Sequence, residues 1–347
     1  MIWLTWRQLR GAALMTAVLL VILAAVLVPT GSQLAADYAG GLAACTRGDD
    51  CLGFYDQLFD DYEIPFLASI LIVLILPAMI GLFWGAPLIT RELEAGTHLL
   101  VWNQSITRTR WLAVKLGFTG LIAVAAAGVT GLAVTWWSGP LDQSAREGFA
   151  LMAPLVFSAR GIAPLGYAAF AFTLGVTVGM LVRRTLPAMA LTLVAFLAIQ
   201  LAMPLLVRPH LIPPVTSAFE IGRENVDGFG INRDGTFDIR LNSAIPGHAG
   251  AWVLSSELVD PSGRTVAASG ADGRITGVPT TSGPCAPAAG SPDGCPAEVN
   301  RLGYRQKATY QPLERFWPLQ WIETGIYAVL ALGLTWFCFR WIRRRLT

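Results

Sequence analysis

Few residues in this chain could do chemistry, and their spacing excludes most of it. The three histidines, His98, His210 and His248, lie on separate segments, and no GxxxxGK[ST], HExxH or GxSxG pattern occurs, so no local phosphate cradle, zinc hydrolytic centre or serine nucleophile can be assembled. Glu323 and Lys115 are the ionisable residues closest to the long apolar runs, one toward each end of a run. Glu323 is read as a helix-end residue paired at an interface. Proton- or sodium-driven carriers usually keep carboxylates inside their spans, where an unused charge is too costly to retain, and that machinery is missing here. What remains is a polar, charged stretch from Pro87 to Lys115. It carries Arg91, Glu92, Leu93, Glu94, Gly96, Thr97 and His98, then the basic residues Arg108, Arg110 and Lys115. Carboxylates and apolar side chains alternating on a short helical segment suit contact with a soluble partner. An ordinary amphipathic interfacial helix with solvated glutamates is the competing reading.

The elements that must position this stretch are membrane spans. With 347 residues, 54% apolar content, 14% charged content and a mean hydropathy of +0.54, the chain is too hydrophobic for a soluble domain. Six apolar runs have spanning length: Gly11 to Val28, Phe66 to Ala86, Leu112 to Trp137, Leu165 to Val182, Leu186 to Val207 and Leu319 to Phe339. A cleaved signal peptide competes for the first, but that run exceeds the usual signal core. Pro77 is expected to kink the second span. Thr30 to Ile64 reads as a polar, acidic loop, and Leu151 to Phe157 as an interfacial or re-entrant piece. Glycines in the third span (Gly117, Gly120, Gly128, Gly131) and the fourth (Gly166, Gly175, Gly179) suit close helix packing.

With both termini inside, the cytoplasmic segments hold 12 basic residues against Glu92 and Glu94, leaving 13 basic and 21 acidic residues on the other side. This satisfies the positive-inside rule. The expected fold class is therefore a mainly α membrane protein of six transmembrane helices with cytoplasmic termini. A β-rich extracytoplasmic domain is expected between helices five and six. The domain plan is 1–207 for helices one to five, with the polar helix near 88–101; 208–318 for the external domain, including strand-like stretches at 236–241 and 251–259; and 319–347 for the last helix and basic C-terminus. Cys45, Cys51, Cys285 and Cys295 fall outside. Four cysteines allow three pairings, and proximity favours Cys45 with Cys51 and Cys285 with Cys295. No metal site is expected, because no histidine flanks either pair. A near-balanced net charge of +2 carries no nucleic-acid signature.

The run Thr90-Arg91-Glu92-Leu93-Glu94-Ala95-Gly96-Thr97, followed by Ser105 to Arg108 and Trp111 to Lys115, resembles the E-x-E-x-G-T pattern of ABC-2 type transporter permeases. Trp3 to Gln8 resembles the amphipathic amino-terminal helix of actinobacterial members. Arg183 to Ala188 and Phe316 to Glu323 add to the likeness, which covers the membrane portion and says little about the external domain. The resemblance implies a plasma-membrane permease subunit without its own ATPase site, exporting a hydrophobic or amphipathic substrate. Its partners would be two copies of a separate ATPase subunit, which binds ATP and Mg, and a second permease subunit, a homodimer being expected. The 90–98 stretch would be the helix coupling ATPase to membrane. A membrane-anchored sensor or resistance factor, whose external domain binds a ligand without transport, is the alternative.

Overall fold

A computed structural model describes residues 2–45, 51–96, 107–143, 149–232, 237–279, 283–286 and 294–345. The chain forms two compact units. One comprises Met1–Pro140, Phe157–Leu211 and Trp317–Thr347, and the other Leu141–Val156 and Ile212–Phe316.

The first unit is helical because its apolar runs leave the backbone no other way to satisfy its polar groups in a bilayer. Its elements are α1 (Ile2–Cys45), α2 (Cys51–Met79), a π-helical turn (Ile80–Gly85), α3 (Ala86–Glu94), α4 (Arg108–Trp137), the short α5 (Pro154–Ala159, which crosses the unit boundary), α6 (Ala163–Val182) and α7 (Thr185–Ala202). A second π turn (Met203–Val207) and one further helical turn (Arg208–Leu211) extend α7. Among the described residues, six helical stretches are long and apolar enough to cross a membrane. The most enclosed is α6; α1 and α7 are the most exposed. Pro77 lies inside α2, and the widened π turn starts three residues after it.

The expected loop from Thr30 to Ile64 is corrected by the structure. Helix α1 runs on to Cys45 and α2 starts at Cys51, so the polar stretch is mostly helical. The physical reason lies in its spacing: Leu58, Phe59, Tyr62 and Phe66 recur at helical intervals and are buried, while Asp56, Asp60 and Asp61 take the exposed face. Leu34 of α1 is buried as well, and the Tyr62 hydroxyl donates to Asp37 Oδ2 at 2.6 Å, tying the two helical extensions together. The Cys45–Cys51 pairing rests on side chains outside those described.

The second unit holds two antiparallel sheets. Its strands are β1 (Val215–Phe219), β2 (Val226–Ile231), β3 (Phe237–Leu241), β4 (Trp252–Val259), β5 (Thr265–Ala268), β6 (Asp272–Ile275) and β7 (Arg305–Gln311), with α8 (Gly294–Arg301) before the last strand. The sheet orders are β1-β7-β4-β5 and β2-β3-β6. The hairpin between β4 and β5 turns at Asp260 to Gly263, where Gly263 adopts φ +80° and its N–H donates to Asp260 O at 2.9 Å. A disulfide joins Cys285 and Cys295 inside a core of Phe237, Ile239, Leu258, Val299 and Tyr304. The chain then enters α9 (Phe316–Arg345), most of which belongs to the first unit.

Candidate functional site

The stretch from Ile80 to Glu94 is set against α6 by glycines spaced four apart on both sides, Gly81 and Gly85 facing Gly175 and Gly179. A Cβ at Gly175 would stand 2.4 Å from the carbonyl oxygen of Gly81 and 2.8 Å from the Ala86 nitrogen; one at Gly85 would stand 2.5 Å from the Phe172 carbonyl oxygen. One at Gly179 would meet the Ala86 carbonyl oxygen at 2.8 Å. Only glycine lets two backbones approach this closely, and small residues four apart are the usual device in membranes. On this foundation Thr90 is fully buried, and its hydroxyl lies 2.9 Å from that of Thr185 at the start of α7.

Two carboxylates extend the attachment. Glu92 is 5% exposed, and its Oε1 accepts a charge-assisted bond from Lys115 Nζ of α4 at 2.5 Å; Lys115 also donates to the Leu88 carbonyl. The Lys115 ammonium lies 4.9 Å from the Trp111 ring centroid. Glu94 accepts from the Thr185 backbone N–H at 2.8 Å and from its hydroxyl at 2.6 Å, capping α7 from a neighbouring element. Of the two glutamates, Glu92 is turned inward and Glu94 stays exposed. Helical spacing turns Glu92 toward α4, where a buried ammonium takes it up, and Glu94 is engaged at the first turn of α7. Lys115 is itself buried and, through this pair, ties α4 to α3.

Arg91 is exposed, and Leu93 packs partly against the apolar core that includes Trp84, Leu88 and Trp111. Helix α3 ends at Glu94 with Ala95 as its C-cap, followed by Gly96 at φ +66°, the left-handed position where glycine is favoured after a helix. Thr97 and His98 lie outside the described residues. Arg108 and Arg110 sit in the first turn of α4, whose N-cap Thr107 accepts from Arg110 N–H at 3.4 Å.

A second charged cluster lies elsewhere in the same unit. Arg208 and Glu323 are both fully buried and paired bidentately, Nε to Oε2 at 2.8 Å and Nη2 to Oε1 at 2.9 Å. Tyr167 donates its hydroxyl to Glu323 Oε1 at 2.5 Å, Ser158 accepts from Arg208 at 2.9 Å, and the guanidinium lies 4.2 Å from the Phe157 ring centroid. One turn before Glu323, Gln320 accepts from the N–H groups of Ile162 and Ala163 and donates to the Phe157 carbonyl, closing the start of α6. Glu323, expected as a paired residue near a helix end, stands eight residues into α9 and is paired with Arg208. Its environment is protein, supplied by α5, α6 and the turn after α7. The sequence signal that could have found the pair is Arg208 directly after the fifth apolar run and Glu323 early in the sixth, opposite charges at two neighbouring span ends.

The family model described as ABC-2 membrane transporter related matches residues 17–208. The chain belongs to this family. Neither a curated protein nor a solved structure matches it.

In this ABC-2 related chain the matched stretch contains α3, both glycine pairs, the Glu92–Lys115 pair and, as its last residue, Arg208. Glu323 and the part of the sheet-bearing unit from Ile212 to Phe316, with strands β1 to β7, lie beyond it, whereas 141–156 lie inside. The family and the six apolar helices make this a multi-pass membrane protein and a transporter membrane subunit. Among the described residues, no group of three His, Cys, Asp or Glu side chains could hold a metal ion. The glycines of α4 serve packing within the chain: Cβ atoms at Gly120, Gly128 and Gly131 would meet Phe172, Leu165 and Pro164, whereas Gly117 faces open space.

Proposed function

We propose that this chain is the permease subunit of an ATP-driven ABC-2 type exporter, working as a homodimer energised by two copies of a separate ATPase subunit that binds ATP and Mg. It resides in the plasma membrane with both termini cytoplasmic and the sheet-bearing unit outside, and it moves a hydrophobic or amphipathic substrate outward. The ATPase engages α3 and the chain that follows it.

The attachment of α3 carries this reading. Its backbone touches α6 through glycines, Glu92 binds Lys115 of α4, and Glu94 caps α7. A displacement of α3 reaches three helices through short, stiff contacts rather than through a compliant loop, which is what transmission of ATPase closure requires. Exposed Arg91 is left to meet a partner.

The test is co-purification of the full chain, in detergent, with ABC ATPase subunits co-expressed from the same genome, together with ATP hydrolysis by the reconstituted complex. The native chain is expected to retain the ATPase and raise its turnover. Arg91→Glu is expected to lose both while inserting normally, because Arg91 is exposed. An ATPase whose binding and turnover ignore the chain overturns the proposal.

A further inference from the structure

The C-terminal part of α9 has two faces. Cys338 and Ile342 are buried against the core built by α2, α3, α4 and α6. Trp336, Phe339, Arg340, Arg343 and Arg344 recur at the i, i+3, i+4, i+7, i+8 spacing of a single helix face and line a cavity of about 320 Å³. The Arg340 guanidinium lies over the Trp336 ring, 5.5 Å from its centroid. Among the described residues, no carboxylate forms an ion pair with Arg340, Arg343 or Arg344. The same stripe continues along the helix as Val329 and Leu332, which with Trp336 are 68%, 69% and 64% exposed. An uncovered apolar track therefore leads into a cavity walled by three guanidinium groups and an indole.

We infer that this face binds an anionic phospholipid, with the headgroup phosphate held by Arg340, Arg343 and Arg344 and an acyl chain lying along Trp336, Leu332 and Val329. The charge of the cavity demands an anion, and guanidinium groups match phosphate oxygens with paired donors. The adjoining apolar track distinguishes a lipid from a soluble phosphate, which would leave it bare. Basic residues at the end of a spanning helix, beside an interfacial tryptophan, are the usual means of holding acidic lipid at a bilayer surface. The inference rests on the chain being a membrane subunit and is independent of any ATPase partner, so its failure leaves the coupling proposal untouched.

The test uses the purified full-length chain, delipidated in mild detergent, and follows its thermal unfolding during titration with dioleoylphosphatidylglycerol, dioleoylphosphatidylcholine or inorganic phosphate. Phosphatidylglycerol is expected to raise the unfolding temperature saturably, and the other two are not. The R340Q/R343Q/R344Q variant is expected to weaken the response at least tenfold. R340K/R343K/R344K, which keeps the charge that orients the helix, is expected to retain a weakened response, and W336A to weaken it too. An equal response to phosphatidylcholine means an apolar surface only, and an equal response to inorganic phosphate means a soluble-anion site. Either result, or an undiminished response in the glutamine variant, overturns the inference.

Discussion

Lys115 of α4 and Glu92 of α3 form a buried ion pair, with 2.5 Å between Nζ and Oε1 and side-chain exposures of 2% and 6%. The contact fastens the stretch proposed to receive the ATPase to the third spanning helix. Removing either partner leaves the other charge in a low-dielectric site, so Lys115→Met and Glu92→Gln are each expected to destabilise the chain by about 3 kcal/mol. The Glu92→Gln/Lys115→Met double variant is expected to cost far less than the sum. Unfolding in detergent checks this, and additive losses would show that the pair is not coupled.

The glycine crossing makes a paired prediction. Gly175→Ala drives a methyl to 2.4 Å from the Gly81 carbonyl oxygen, where both sides are backbone and cannot yield; a loss of about 2 kcal/mol is expected. Gly117→Ala, with nothing within 4 Å, is expected to be neutral or to stabilise by up to about 1 kcal/mol through helix propensity. Equal effects on unfolding temperature at the two positions would refute the close crossing.

The Arg208–Glu323 cluster predicts an order of severity. Arg208→Met strands a fully buried carboxylate and is expected to cost about 3 to 5 kcal/mol. Tyr167→Phe removes the hydrogen bond to Glu323 and a longer one from Arg208 at 3.5 Å, and is expected to cost about 2 kcal/mol. Arg208→Met combined with Glu323→Gln is expected to recover much of the first loss. The check is the ranking of the three unfolding temperatures; a Tyr167→Phe variant weaker than Arg208→Met would sink the assignment of the ion pair as the stronger tie.

Asp260 sets a pH dependence in the β4–β5 turn. Its carboxylate accepts from the Ser262 hydroxyl, the Arg264 N–H and the Ser262 N–H, which hold its pKa at about 2 against an ordinary 3.8. A carboxyl whose folded pKa is depressed stabilises the fold above its ordinary value and loses that contribution as pH falls through the folded one. The turn is therefore expected to persist at pH 3 and to open as pH drops past about 2. Titration of the Ser262 and Arg264 amide resonances reads the midpoint, and one near 3.8 would contradict the hydrogen bonding.

Much of the architecture was legible in the amino-acid sequence. The six apolar runs became six helical stretches of spanning length, and the alternating segments at 236–241 and 251–259 became β3 and β4. Cys285 and Cys295 pair as proximity suggested. In the acidic stretch before Ile64 composition suggests a loop while spacing encodes a helix: Asp56, Asp60 and Asp61 are exposed points on a helix whose other face is Leu58, Phe59 and Tyr62.

By itself the sequence determined which segments are long and apolar enough to cross a membrane and that a polar stretch interrupts them, because hydropathy, run length and glycine spacing are properties of the linear chain. Only the tertiary structure decided what its charges do. Glu92 and Glu94 stand two residues apart, yet helical rotation sends one to a buried lysine on α4 and the other to the first turn of α7. Arg208 and Glu323 are 115 residues apart and meet bidentately. Whether a charge is solvated or spent inside the protein depends on which distant segments surround it, and no local pattern records that.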